Sequence, residues 1–160
     1  MTTNYVIIGN GIAGLSAAKE IRSNDKEGNI TIISSEEYLT YYRVKLSHYI
    51  SKSFKDEELL VNKESWYDES KIEVILNKTV EKIDLDKKEV RLDDGTTVTY
   101  DKLLLANGSR PFVPPIAGND KEGVFALRTL KDLKYIKNYF HSCEDVTVIG
   151  GGLLGLEAAW

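Results

Sequence analysis

The sequence predicts an α/β fold built on a parallel sheet. Three observations carry this. The β-branched run Tyr5 to Ile8 passes directly into glycines. A helical pattern and a second β-branched run, Ile30 to Ile33, follow within one short unit. The strand-then-glycine pattern of residues 5–14 then recurs at 146–155. Parallel strands buried on both faces read as continuous apolar runs, and joining two of them requires a crossover, usually a helix.

Tyr5 to Ile8 is the first strand. Ile12 to Arg22 carries small and apolar residues at helical spacing and stops at Ser23-Asn24-Asp25, so strand, helix and strand form a βαβ unit. Arg43 to Ile50 reads as a short helix with Leu46 and Ile50 on one face, and Asn62 as the cap of a helix that carries Trp66 and ends before Lys71. Ile72 to Leu76 is a strand. Val80 to Asp84 and Glu89 to Leu92 alternate apolar and polar residues, and Asp94-Gly95 turns the chain towards Val98, which predicts a hairpin. Lys102 to Ala106 is a further buried strand, ending at Asn107-Gly108.

All three prolines, Pro111, Pro114 and Pro115, fall together and mark a linker. Thr129 with Asp132 then opens a helix through Phe140 in the manner of a capping box, with Leu130, Leu133, Ile136 and Phe140 on its apolar face. Val146 to Ile149 reads as a buried strand before the second glycine run.

The 160 residues are 42% hydrophobic and 29% charged, enough to bury a core, with a net charge of −4. An acidic balance argues against nucleic acid and against an anionic membrane surface. The single cysteine, Cys143, excludes an intrachain disulfide and suits a cytoplasmic location. Met1 to Asn4 has no basic region, so no signal peptide is expected. No apolar run nears the roughly 20 residues of a membrane helix.

The first chemical constellation is Gly9-Asn10-Gly11-Ile12-Ala13-Gly14. Gly9 permits the turn off the strand, Gly11 lets a pyrophosphate approach the backbone, and Gly14 lets the helix pack close to the strand. The helix N-terminus offers unpaired N–H groups and the positive dipole end to phosphates. Glu36, or Glu37 beside it, stands just after the second strand, where a carboxylate accepts hydrogen bonds from ribose hydroxyls. The second constellation is Gly150-Gly151-Gly152-Leu153-Leu154-Gly155, with Glu157 in the following helix. The 160 residues hold no second strand for this unit, so this site is expected not to function in the chain by itself.

Two such fingerprints about 140 residues apart, with Lys102-Leu-Leu-Leu-Ala106-Asn107-Gly108 between them, resemble the pyridine nucleotide-disulfide oxidoreductase superfamily of flavoproteins. The resemblance runs from Tyr5 to Trp160. It implies a Rossmann-like FAD/NAD(P)-binding fold of three layers: parallel sheet, helices and a β-meander. It also implies a truncated version, with residues 1–110 as the N-terminal segment of an FAD domain. Residues 111–160 would be a linker and the incomplete start of an NAD(P) domain. In the family the apolar strand ends in Ala-Thr-Gly; here Asn107 replaces the threonine, and the resemblance sets Ala106 and Gly108 against FAD. Thr79-Val80 resembles the segment that meets the adenine, and Leu127-Arg128-Thr129 with Asp132 the segment leading into the nucleotide domain.

Thiol-using members place one or two cysteines shortly after the first βαβ unit. The matching stretch, Tyr41 to His48, has none, and Val44 stands about where one would sit. Cys143 falls far later. The resemblance therefore points to the branch without an active thiol: rubredoxin, ferredoxin and putidaredoxin reductases and the flavin part of nitrite reductases. Tyr42 to Ser47 resembles that branch's Arg-Pro-x-Leu-Ser-Lys segment. The arginine maps onto Arg43, and His48 stands where the lysine would, with Lys45 as a substitute. A cation at the flavin's pyrimidine edge stabilises the anionic reduced form.

His48, His141 and Cys143 lack metal-ligand spacing. Trp66, Tyr67, Tyr41 and Tyr42 read as packing residues, and Lys82, Lys87 and Lys88 as a solvated face. The expected activity is an FAD-dependent NAD(P)H oxidoreductase. It would pass electrons to a small rubredoxin- or ferredoxin-like carrier or a nitrite reductase domain, with a homodimer as one arrangement. The alternatives are a nucleotide-binding fragment without catalysis and a thiol-dependent NADH oxidase or peroxidase. An exposed strand edge is expected of the fragment.

Overall fold

The computed structural model describes residues 2–160. The chain divides into two compact units: Met1–Tyr41 with Leu60–Gly108, and Tyr42–Leu59 with Ser109–Trp160.

The first unit is built on a four-stranded parallel sheet. β1 (Asn4–Ile8) lies between β2 (Asn29–Ile33) and β7 (Lys102–Leu105), and β3 (Ile72–Ile75) pairs with the far side of β2. Successive residues of a strand point to opposite faces, and the two faces bury different partners. On one face Ile7, Ile30, Ile32 and Ile72 pack against Leu15 and Ala18 of helix α1 (Ile12–Asn24) and Tyr67 of helix α3 (Glu64–Glu69). On the other, Val6, Ile8, Ile33, Ile75 and Leu103 pack against Val90 and Leu92 of an antiparallel meander. Its strands are β4 (Val80–Asp84), β5 (Glu89–Leu92) and β6 (Thr97–Thr99), in that order. Helices, parallel sheet and meander are the three layers that the family resemblance implies. Ile7 and Ile32 are fully buried, and each such side chain contributes about 1.5–3 kcal/mol relative to exposure.

The hairpin turn forms as predicted. Gly95 takes φ +84°, its N–H bonds the Leu92 carbonyl, and the Asp94 carboxylate accepts the Thr96 N–H at 2.9 Å. The helix around Trp66 also forms, but Asn62 does not cap it. Lys63 holds the cap position without a side-chain bond, and Lys71 at φ +51° turns the chain out of the helix.

The second unit contains helices α2 (Asp56–Leu59), α4 (Leu130–Phe140) and α5 (Leu153–Ala159). The capping box of α4 is present in both directions. The Asp132 N–H donates to Thr129 Oγ1 at 3.1 Å, and the Thr129 N–H to the Asp132 carboxylate at 2.7 Å. Leu130, Leu133 and Ile136 are buried. Two expectations fail here. Residues 43–50 form two tight 3₁₀ turns, Arg43–Lys45 and Ser47–Tyr49, in place of an α-helix, and Leu46 between them takes the buried position. Val146 to Ile149 is not a strand: no described segment pairs with it, and Val146, Val148 and Ile149 are exposed. An apolar run becomes a strand only where a neighbour supplies the other half of its hydrogen bonds.

Candidate dinucleotide site

The first glycine run sits at the C-terminal ends of β1 and β2, the place where open α/β sheets bind ligands. The Gly9 N–H donates to the Ile33 carbonyl at 2.8 Å, which ties the end of β1 to the end of β2. Gly9 takes φ +116°, and a Cβ there would run into the carbonyl of Ala106. The Ala106 N–H in turn bonds the Ile8 carbonyl at 2.8 Å, so the Ala106-Asn107-Gly108 motif is pressed against the turn. Gly108 takes φ +68°. Gly14 is buried, and a Cβ on it would fall on the Gly9 carbonyl oxygen. Gly11, by contrast, has nothing within 4 Å of a Cβ position. It is the N-cap of α1 and makes no side-chain cap, so the first N–H groups of the helix, from Ile12 and Ala13 onward, face this opening.

Asn10 braces the loop. Its Oδ1 accepts the buried Thr40 hydroxyl at 2.5 Å and its Nδ2 donates to the Tyr38 carbonyl at 3.2 Å. Glu36 is half-buried whereas Glu37 is exposed. The Glu36 N–H donates to Ser34 Oγ at 3.1 Å, and its Oε2 accepts the Tyr41 hydroxyl at 2.6 Å. Tyr41 is buried and meets Tyr38 edge-on at 6.5 Å, so it does more than pack: it aims the Glu36 carboxylate. Nothing in the residue spacing signals this bond. The neighbouring Tyr67 hydroxyl is buried, and burial pushes its pKa up. Thr79 spends both backbone groups on Asp93, while Val80 opens β4 opposite Leu92 beside a bulge.

In the second unit the second glycine run repeats the local device. Gly150 takes φ +129°, and a Cβ on Gly155 would fall on the Gly150 carbonyl. Gly150 itself meets nothing within 4 Å, unlike Gly9, and Gly152 caps α5 without a side-chain bond. Glu157 on α5 is held at both oxygens, by Ser47 Oγ at 3.0 Å and by His48 Nε2 at 2.7 Å. The His48 bond first, and then that of Ser47, holds its carboxyl below the usual range. Arg43 donates to the Arg128 carbonyl at 2.6 Å, and the Lys45 ammonium lies 4.4 Å from the Tyr42 ring centroid. Among the described residues no group of His, Cys, Asp or Glu is placed to hold a metal, and no helix is long and apolar enough to cross a membrane.

Known proteins are similar to this chain in sequence and in fold. The chain is 42% identical over 155 residues to a nitrite reductase [NAD(P)H] of Bacillus subtilis, covering 96% of the chain and 19% of the relative. It is 33% identical to the ferredoxin–NAD(+) reductase subunit of the benzene 1,2-dioxygenase system of Pseudomonas putida, covering 99% of the chain and 39% of that protein. The crystal structure of NADH:rubredoxin oxidoreductase from Clostridium acetobutylicum superposes with a TM-score of 0.90 at 35% identity, over 99% of this chain and 41% of that one. The chain thus spans well under half the length of these relatives. The family description "Pyridine nucleotide-disulphide oxidoreductase" matches residues 3–160, and with the glycine geometry above it establishes that the chain belongs to that family of oxidoreductases.

Proposed function

We propose that the chain is the FAD-holding part of an NAD(P)H oxidoreductase that delivers electrons to a small redox protein or to a nitrite reductase domain. The observation that carries this is the contrast at Gly9, Gly11 and Gly14. Two positions are closed by backbone, and the middle one is open in front of a helix N-terminus. That is the shape a pyrophosphate needs. Bound FAD supplies the capacity to take a hydride and release single electrons.

The chain's residues supply position. The backbone of Gly9, Asn10, Gly11, Ile12, Ala13 and Gly14 would cradle the diphosphate. Glu36, oriented by Tyr41, would accept the ribose hydroxyls, with Glu37 exposed beside it. Val80 would border the adenine, and Ala106, Asn107 and Gly108 would line the flavin side. By the family resemblance alone, Arg43 and Lys45 would be the cations for the reduced flavin. Gly150, Gly152 and Gly155 would receive the NAD(P)H diphosphate. The named activities of the nitrite reductase and ferredoxin reductase relatives support the choice of acceptor. A second reading, dinucleotide binding without NADH oxidation, is favoured by the unpaired residues 146–149.

Purifying the chain with FAD and adding NADH and an electron-accepting dye separates these. A retained flavin spectrum with dye reduction supports the oxidoreductase. A flavin spectrum without reduction supports the binding module. Release of all flavin on gel filtration refutes both.

A further inference from the structure

The Lys137 ammonium on α4 is held by main-chain oxygens. It donates to the carbonyls of Tyr49 at 2.8 Å, Ile50 at 3.0 Å and Lys52 at 2.6 Å. The Phe54 ring, packed edge-on against Tyr49 at 5.2 Å, has its centroid 5.8 Å from Nζ. Three N–H donors thus meet three acceptors, beside an aromatic ring. No carboxylate is among the partners. The acceptors converge because the Ser47–Tyr49 turn ends there, and the end of a helical turn leaves carbonyls unpaired. Burial holds the Lys137 pKa below its ordinary value. Neutral oxygens of this kind suit a monovalent cation, whereas a divalent ion wants carboxylates.

We propose that the Tyr49, Ile50 and Lys52 carbonyls with Phe54 form a binding site for a primary ammonium. The chain fills it with its own Lys137, and that occupancy positions Ser47 and His48 against Glu157. The inference does not rest on the flavin reading. Lys137 is in this sense a positioning residue.

The test is chemical rescue of Lys137→Ala in the full chain, where Lys134 and Asp56, 2.5 Å apart, still tie α4 to α2. The variant is expected to lower the thermal midpoint by about 3–6 °C and to shift the His48 imidazole resonance. Methylammonium chloride at about 0.1 M should restore at least half of both losses, while tetramethylammonium chloride, which screens charge equally but has no N–H, should restore neither. Lys137→Met, whose stem fills the hole, should not respond. Equal recovery in both salts, or none in either, overturns the proposal. If Lys137→Ala fails to fold, the wild type decides. In ¹⁵N-lysine-labelled chain one slowly exchanging ammonium should correlate through hydrogen bonds with the Tyr49, Ile50 and Lys52 carbonyl carbons, and its absence refutes the site.

Discussion

The carbonyl oxygen of Gly9 occupies the space where a side chain on Gly14 would begin. The closeness of α1 to β1 is therefore set by backbone against backbone, and Gly14 cannot take a side chain without displacing the Gly9 turn, while a side chain on Gly9 would strike the Ala106 carbonyl. Gly11 between them faces open space. The two substitutions should separate folding from binding. Gly14→Ala forces backbone apart in a packed layer and should cost about 1–3 kcal/mol. Gly11→Ala has φ −89°, which alanine accepts, and should cost no more than about 1 kcal/mol for the poorer N-cap. Yet Gly11→Ala should lose most FAD binding. Urea unfolding with flavin titration measures both, and equal stability losses for the two variants would contradict this division.

The Tyr41 hydroxyl lies 2.6 Å from Glu36 Oε2, which makes it the orienter of the proposed ribose acceptor. Tyr41→Phe removes the donor and keeps the buried ring. A hydrogen bond to a charged group contributes about 1.5–3 kcal/mol, so FAD affinity should fall by at least about tenfold. Glu36→Gln should show a similar loss, and the double variant little more than either. Fully additive losses would mean that the two residues act separately.

The strands and helices were legible because each rests on local periodicity, whereas their stacking in three layers followed from the family resemblance. Tyr5 to Ile8 and Ile30 to Ile33 are buried on both faces, and the Thr129–Asp132 box is read from four consecutive residues. The glycine order was legible because its sterics are local as well. What escaped depends on partners distant in sequence. Ala106 closing on Gly9 needs two adjacent strands almost a hundred residues apart in the chain to be known neighbours. Val146 to Ile149 has the composition of a strand but no partner among the described residues. Tyr41 reads as packing from its type alone, since a tyrosine's hydroxyl partner leaves no periodic trace. The bond of His48 to Glu157 joins segments that no short motif connects.

Among the described residues β7 pairs with β1 on one side only, and Leu104 and Leu105 on it are exposed. An uncovered apolar edge invites pairing with a second copy. Leu105→Lys should therefore lower self-association, read by sedimentation velocity across a concentration series, and shift stability by no more than about 0.5 kcal/mol. Unchanged association would place any dimer contact elsewhere.

Glu157 links α5 to the Ser47–His48 turn, and those two bonds depress its pKa from the ordinary 4.5. A depressed carboxylate binds its proton less tightly folded than unfolded. Its stabilising contribution is therefore complete above the unfolded value and fades as pH falls through the folded one. The thermal midpoint of the wild type should exceed that of Glu157→Gln, most where both Glu157 and His48 are charged. The margin should shrink below about pH 4.5 and vanish once the folded carboxyl is protonated. Because the group is solvent-accessible, added salt should narrow the margin at neutral pH. Differential scanning calorimetry of both proteins over a pH series reads the difference directly. A margin that grows as pH falls below about 4.5 would reverse the sign and remove the carboxylate from this contact.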